Sequence, residues 1–425
     1  MFIFLANIHI IFSKKFDIRT ERPTKKKPTQ LSGVLYISNM KKNLIFLFLI
    51  PQILLAQNNW CGTADKMLAN PATEKEQNLM QKIRTNITNN SYNKSQDSLL
   101  IIPTVVHIIH TNGIGDISDL QVHDGMRVIN EDFRRTNADT INGNPIFYPF
   151  AADCKIEFRL AKLDPNGDST SGITRTDTAL YPHPEPTDPA FDNVKYAVNW
   201  PPHMYFNIWV VRHILAGTSG YAQYPGTAFT YGGPWETYGV VIKNYEWGTI
   251  GTSSSDGRVA THELGHCLGL YHTFLSYSAT CGAECDTTGD QVCDTPPTLP
   301  TNGCNTANQC SNDMMGPSPF TQDMTDQLEN YMSYNSCQNM FSIGQKDRMR
   351  GFLTTLDTLN GLYLDNNLIA TGLMQPTAIT ELPINKNRKL LKIVDVLGRE
   401  TPHKKNMPLF YLYDDGSLEK KIIVE

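Results

Sequence analysis

The sequence predicts an α/β fold, in which strands and helices pack around one sheet. The first observation is a β-branched run over residues 99–109, which is typical of a strand in the centre of a sheet. The second is an amphipathic helix from Asp119 onward, with apolar residues at three- and four-residue spacing. The third is a set of strand patterns at residues 155–160, 205–211 and 238–242, followed by a helical segment. The order strand, helix, strands, helix indicates this class.

The charge of the chain argues against nucleic-acid binding, and its N-terminal sequence suggests processing. The 425 residues carry 37 basic and 42 acidic side chains, a net charge of -5, which argues against nucleic-acid binding. From Met40 the chain has a basic start, a short apolar run and Ala56, the pattern of a secretory signal peptide over residues 40–56. The run is shorter than the ~20 apolar residues that span a bilayer, so we expect export without stable membrane insertion. Residues 1–39 then become an upstream extension that is not native to the protein.

The nine cysteines agree with export, because disulfides persist in an oxidising compartment. Six of them lie within residues 281–337, a segment rich in Gly, Asn, Thr and Pro with little helical or strand periodicity. We predict that disulfides or bound ions replace the missing core in this segment. Residues 57–98 are polar and are predicted to be a pro-segment. At the other end, residues 358–386 are predicted to be a linker, and residues 387–425 a small unit of three short strands.

The chemistry is concentrated in one helical segment. On a helix, residues i and i+4 share a face, so His262 and His266 can bind one ion while Glu263 faces the open side of that ion. A third imidazole can come from His272 if the chain turns sharply at Gly269, where glycine tolerates positive φ. Zinc suits three neutral imidazoles with an open fourth position, and Glu263 would act as the general base toward water. The alternative, that these are buried or capping histidines, is weakened by the extended form of the motif.

A second motif follows about seventy residues after the start of that helix. It reads Asn330-Tyr331-Met332-Ser333-Tyr334, and together with the long zinc motif it resembles the Met-turn of the metzincins. The resemblance gives Met332 a structural role beneath the metal. It gives Tyr334 the role of stabilising the oxyanion of the tetrahedral intermediate.

Within the metzincins, residues 99–355 are most similar to the pappalysins, including ulilysin and the bacterial cytophagalysin-like members. The segments that carry this similarity include Asp164-Pro165-Asn166-Gly167, Gly220-Tyr221-Ala222-Gln223-Tyr224, Gly289-Asp290-Gln291-Val292-Cys293-Asp294-Thr295-Pro296 and Ser342-Ile343-Gly344-Gln345. The resemblance implies a catalytic domain over residues 99–357. Its upper part would hold a twisted, mainly parallel sheet with an antiparallel edge strand and the zinc helix. Its lower part would be irregular and rich in disulfides.

The same resemblance implies an endopeptidase that acts on proteins or peptides as a monomer. Substrate would lie antiparallel to the edge strand, which we place at residues 217–223. The family's preference for arginine is not carried over, because the acidic residue that sets it has no counterpart between Tyr334 and Cys337.

Further ion and disulfide sites are predicted in the cysteine-rich segment. Related pappalysins bind calcium near this region, and the chain offers the hard oxygen ligands that calcium prefers. The alternative is a solvated acidic loop with Asx-turns. The family spacing suggests Cys304 with Cys337 and either Cys281 or Cys285 with Cys310. The calcium candidates are Asp286, Asp290, Asp294 and Thr295.

Cys61 lies shortly after the predicted cleavage point and precedes a glycine. It resembles the pro-segment cysteine that occupies the fourth zinc position in latent pappalysins. A thiolate there would keep the precursor inactive until the segment is removed. The alternative is a disulfide between Cys61 and Cys154.

The tail, residues 387–425, resembles the C-terminal sorting domain of type IX secretion. It implies passage through the periplasm, contact with the type IX machinery, and release to the cell surface or the medium. The alternative is a small β-module that binds substrate. For the whole chain, the alternative to a latent zinc endopeptidase is a metal-stabilised adhesin or binding module without catalysis; Glu263 favours the enzyme.

Overall fold

The computed structural model describes part of the chain. The predicted extension, the predicted signal peptide, most of the predicted pro-segment, and residues 358 and 376–386 of the predicted linker lie outside the described residues. The described residues are 60–63, 78–79, 81–83, 85, 98–180, 193–214, 217–225, 235–274, 281, 284–300, 303–305, 307–356, 359–375, 388–414 and 416–422.

A six-stranded sheet forms the centre of the catalytic region. Its order is β2-β1-β4-β6-β5, and β3 also pairs with β1. All pairs are parallel except β5 with β6, so the predicted mainly parallel sheet with an antiparallel edge strand is confirmed. The strands are β1 (Leu100–His110), β2 (Ile156–Leu160), β3 (Ile173–Asp177), β4 (Phe206–Val211), β5 (Gly220–Ala222) and β6 (Gly239–Lys243).

Strand β1 is long enough to pair with two strands on one side. Its first half pairs with β2 and its second half with β3, while β4 lies on the other side. Because β1 and β4 are covered on both faces, their residues form the near-continuous apolar runs expected of buried parallel strands. The sequence did not predict β3, because its segment holds one apolar residue among polar ones.

Five α-helices follow β1 in the described part of the chain. Helix α1 begins after Ser118, whose side chain accepts a hydrogen bond from the backbone of Gln121, and its predicted apolar face is buried. Helix α4 begins with a capping box formed by Ser342 and Gln345. The helices are α1 (Asp119–Phe133), α2 (Asn193–Ala197), α3 (Arg258–Cys267), α4 (Ile343–Thr355) and α5 (Asp365–Ala370).

Between α3 and α4, the described residues contain no helix and no strand longer than an isolated bridge. Three disulfides hold this segment, as the predicted shortage of core requires: Cys281–Cys310, Cys285–Cys293 and Cys304–Cys337. The cystine with Cys310 is therefore formed by Cys281. The alternative, Cys285 with Cys310, is wrong, because Cys285 lies 4.9 Å from Cys293 between Cα atoms and pairs with it.

A separate three-stranded antiparallel sheet ends the described chain. Its order is β7-β8-β9, with β7 (Leu390–Val394), β8 (Pro408–Tyr413) and β9 (Leu418–Ile422). This confirms the small all-β tail. Among the described residues, no helix combines the length and the apolar character that crossing a bilayer requires.

Candidate active site

Helix α3 and the turn after it place three imidazoles. His262 and His266 are one helical turn apart and share a face. The helix ends before Gly269, which has φ +92° and lies so close to Phe352 of α4 that a Cβ atom would stand 2.1 Å from its ring. Only glycine fits this turn, because a side chain would meet both the strained backbone and the ring. The turn returns the chain to bring His272 beside the other two.

The three imidazoles converge through their Nε2 atoms. The Nε2–Nε2 distances are 3.0 Å between His262 and His272, 3.1 Å between His262 and His266, and 3.0 Å between His266 and His272. The Nδ1 atoms of two of them face backbone carbonyls, His262 that of Tyr331 at 2.6 Å and His266 that of Leu270 at 2.8 Å. A carbonyl can only accept, so each Nδ1 carries the proton and each Nε2 presents a lone pair.

Such an arrangement fits a cation. All three rings are fully buried, and burial lowers their pKa values, that of His266 to about 4. The rings are therefore neutral at pH 7, and three facing lone pairs repel unless a cation lies between them. Ligands about 2.0–2.1 Å from a tetrahedral zinc stand roughly 3.3 Å apart, close to the observed spacing.

The thiol of Cys61 lies next to the three imidazoles. Its Sγ lies 3.6 Å from Nε2 of His266, and the four ligand atoms lie within 4.8 Å of one another. A zinc ion at about 2.3 Å from sulfur and 2.05 Å from nitrogen would separate the two atoms by roughly 3.6 Å. Cys61 and Cys154 form no disulfide, and both are buried.

Glu263 is fully buried beside the imidazoles and is contacted by Thr63. Its Oε2 accepts a hydrogen bond of 2.7 Å from the hydroxyl of Thr63. That hydroxyl accepts in turn from the backbone N–H of Ala222 in β5, at 2.8 Å. The structure thus places Glu263 next to the imidazoles and shows a partner that sequence reasoning missed.

The Met-turn residues lie beneath and beside the imidazoles. Met332 is buried under α3, and its Sδ stands where a side chain at Gly265 would be, 2.5 Å from the position of a Cβ atom. The ring of Tyr334 lies 4.9 Å from that of His272 and 5.9 Å from that of His262, between centroids. Tyr334 is buried and packs with Cys61 and Phe274.

Residues 60–62 pair with the edge of the sheet next to these groups. The N–H of Gly62 donates to the carbonyl of Gly220 at 2.9 Å, and the N–H of Ser219 donates to that of Trp60 at 2.7 Å. This pairing is parallel. The indole of Trp60 covers the imidazole of His262, with centroids 4.6 Å apart. Cys61 forms the bridge with Gly220, and Thr63, two residues later, is already helical; both side chains contact the site.

The oxygen ligands predicted for calcium have partners within the protein. Asp290 accepts from the hydroxyl of Thr295 at 2.7 Å, and burial raises its pKa to about 7. Asp294 accepts from the hydroxyl of Ser342 and the backbone of Gly344, at the start of α4. Among described residues, the carboxylates of Asp286, Asp290 and Asp294 do not converge; the one cluster of His, Cys, Asp or Glu ligands is that of Cys61 with the three imidazoles.

Comparisons with known proteins place this site in a family. The model of the Peptidase_M43 family, described as pregnancy-associated plasma protein-A, matches residues 190–354. An extracellular metalloprotease of Arthroderma gypseum is 24% identical over 300 residues, which cover 70% of this chain and 84% of that protein.

Two solved structures from Tannerella forsythia are also similar. Mature mirolysin in complex with a cleaved peptide is 34% identical, with a TM-score of 0.55, and the match covers 66% of this chain and all of that one. A promirolysin mutant is 31% identical, with a TM-score of 0.57, and the match covers 74% of this chain and 99% of that one. The predicted resemblance is confirmed: this chain belongs to the Peptidase_M43 family of metalloproteases, the pappalysins.

Proposed function

We propose that the protein is a secreted zinc endopeptidase that is made as a latent precursor. The observation that carries this proposal is the convergence of three buried Nε2 lone pairs at 3.0–3.1 Å with the carboxylate of Glu263 beside them. His262, His266 and His272 would hold the zinc. A binding module needs no buried carboxylate at the open side of such a site, so the geometry favours an enzyme over an adhesin.

The chain's own groups divide the work of hydrolysis. Bound zinc would supply Lewis-acid chemistry to water and to the scissile carbonyl. The carboxylate of Glu263 takes the proton of the attacking water and delivers it to the leaving amine. The hydroxyl of Tyr334 donates a hydrogen bond to the oxyanion of the tetrahedral intermediate. Strand β5 offers its backbone groups to the substrate, which then runs antiparallel to it.

The latency proposal rests on the pro-segment. Cys61 would supply the fourth ligand, the hydroxyl of Thr63 donates a hydrogen bond to the carboxylate of Glu263, and the indole of Trp60 packs on His262. The segment pairs with β5 in parallel, which is opposite to the direction proposed for substrate. A peptide in the reversed direction presents its carbonyls in the wrong register for attack, so the precursor would resist cutting itself at this place.

The remaining assignments stay predictions. Secretion is supported by relatives named extracellular metalloproteases, and sorting by the type IX machinery rests on the tail, residues 387–425. Loss of export on deletion of that tail would support the assignment, and unchanged export would reject it. If calcium binds at Asp286, Asp290, Asp294 and Thr295, adding calcium together with zinc to the chelated protein should raise its unfolding temperature more than zinc alone does. The hydrogen bonds of Asp290 and Asp294 within the protein argue against this calcium site.

Cleavage of a protein substrate by the processed enzyme tests the main proposal. We expect hydrolysis of casein or gelatin that a chelator stops and that Glu263→Ala lowers by about 10²–10⁴-fold, because the general base is lost. The zinc content of Glu263→Ala should equal that of the wild type, since no ligand changes. Equal hydrolysis by wild type and Glu263→Ala would reject the enzyme and favour the binding module.

A further inference from the structure

A buried carboxylate lies behind the metal ligands and outside the proposed mechanism. Asp132 stands near the end of α1 and is 2% exposed. Its Oδ2 accepts a hydrogen bond of 2.7 Å from the hydroxyl of Thr261, and its Oδ1 accepts one of 2.6 Å from the hydroxyl of Tyr331. Asp132 therefore joins three parts of the fold: α1, the active-site helix α3 and the Met-turn.

This carboxylate is costly to keep. Burial, with a smaller contribution from the nearby Asp139, raises the pKa of Asp132 to about 6. The last turn of a helix carries partial negative charge, which is also unfavourable for an anion. The guanidinium of Arg258 offsets part of this cost at 3.7 Å, while it also binds Asp139 at 2.7 Å. A group held against these costs is expected to have a specific use.

The two residues that donate hydrogen bonds to Asp132, Thr261 and Tyr331, are both next to His262. Thr261 precedes His262 in α3. Tyr331 supplies the carbonyl that accepts from Nδ1 of His262 at 2.6 Å. The same carboxylate thus holds the helix that carries the ligand and the residue that orients it. The side chain of Gln338 holds that carbonyl from another direction, with its Nε2 donating at 2.9 Å.

We propose that Asp132 is a positioning residue for the metal centre, which fixes the carbonyl of Tyr331 relative to His262 and so directs Nε2 of that ring to the ion. The inference rests on the proposed zinc site. Partners behind a metal-binding histidine commonly tune metal affinity by 10–100-fold, because they set ring orientation and tautomer. Asp132 acts through one further residue, and we expect an effect of about tenfold.

Zinc affinity of the full chain, measured by competition with a chromophoric chelator, tests this role. Asp132→Asn keeps the shape of the side chain but puts an amide N–H₂ where one hydroxyl now donates. Asn130→Ala is the matched control: Asn130 lies in the same helix and binds the carbonyls of Met126 and Phe158, away from the metal ligands. Both variants should unfold at lower temperature. Only Asp132→Asn should bind zinc about tenfold more weakly.

Two milder variants keep the proposal testable if Asp132→Asn does not fold. Thr261→Val and Tyr331→Phe each remove one of the two hydrogen bonds and keep the shape of the side chain. Each should weaken zinc binding severalfold, and the combination with Asp132→Asn should be less than additive, because the variants remove the same interaction. The Nδ1–H resonance of His262 should shift or broaden in these variants and not in Asn130→Ala.

The outcomes separate this inference from the proposed function. Zinc affinity within twofold of the wild type in Asp132→Asn would overturn the positioning role, as would an equal loss of affinity in Asn130→Ala. If the wild type itself does not bind zinc, the proposed function fails, and the inference fails with it.

Discussion

At the scale of single residues, two side chains of one short segment contact two different groups of the candidate active site. Cys61 stands 3.6 Å from Nε2 of His266, and Thr63 donates to Glu263 at 2.7 Å. The hydroxyl of Thr63 has its direction fixed, because the N–H of Ala222 donates to it and leaves its own hydrogen for the carboxylate. The proposed metal ligand and the proposed general base thus have separate contacts with residues 60–63.

We therefore expect Thr63→Val to weaken latency even though Cys61 is intact. The change keeps the shape of the side chain but removes a buried hydrogen bond to a carboxylate. This loss should destabilise the bound segment by about 1.5–3 kcal/mol, which raises the population of the released segment roughly 10–100-fold. The measurement is the rate at which the purified full-length precursor becomes active. Thr63→Ser, which keeps the hydroxyl, is the control and should activate nearly as slowly as the wild type. A Thr63→Val precursor that activates at the wild-type rate would contradict the prediction.

At the scale of secondary-structure elements, the sequence predicted those strands and helices whose apolar residues recur at a regular period. Strand β1 and helix α1 were evident because their apolar residues follow the periods of a central strand and of an amphipathic helix. Strand β3 was not predicted, because its pairing with β1 depends on backbone hydrogen bonds and not on an apolar pattern. The partner of Cys285 was missed for a similar reason, since spacing alone does not decide between cysteines that lie close together in three dimensions.

The same distinction holds for the site. The spacing of His262, His266 and His272 predicted which imidazoles meet, because helix geometry and one glycine turn determine it. The contact between Thr63 and Glu263 joins residues 200 positions apart, and no local pattern encodes it. The sequence did not predict the proposed role of Asp132 for the same reason, because this role depends on the tertiary packing of α1 against α3.

His107 should make the folding stability of the protein depend on pH. It lies in β1 and bonds Thr174 of β3 at 2.7 Å and Asn207 of β4 at 2.9 Å, and burial lowers its pKa to about 4. The folded pKa lies below the unfolded value of about 6.5. The stability contribution of the neutral ring is therefore fully present above about pH 6.5 and is lost as the pH falls toward 4.

We expect His107→Gln to reduce the acid sensitivity of folding. At pH 5 the wild type should have lost about 2 kcal/mol of unfolding free energy through His107 relative to pH 7, whereas a glutamine has no proton to gain. Urea unfolding of both proteins at the two pH values, with chelator present, measures this difference. Other titrating groups contribute equally to both proteins and cancel. An equal loss of stability in wild type and variant would show that His107 does not titrate in this way.

At the scale of the whole molecule, the candidate metal centre joins distant parts of the chain. Cys61 and His266 are 205 residues apart, and His272 belongs to the segment after α3. The disulfides hold the irregular segment between α3 and α4, but no disulfide among the described residues reaches the pro-segment. The metal would therefore be the strongest link between pro-segment and catalytic domain, and its affinity would become part of the stability of the precursor.

Chelation should accordingly destabilise the wild-type precursor more than it destabilises a precursor that lacks the fourth ligand. We expect removal of zinc to lower the unfolding temperature of the wild-type precursor, and Cys61→Ala to reduce that shift by on the order of 5 °C, because a thiolate ligand no longer adds to metal affinity. Cys154→Ala is the matched control, since Cys154 is equally buried but lies outside the ligand cluster. It should lower the unfolding temperature while leaving the chelation shift unchanged. If Cys61→Ala and wild type lost the same number of degrees on chelation, Cys61 would not be a metal ligand, and latency would rest on Thr63, Trp60 and the pairing with β5.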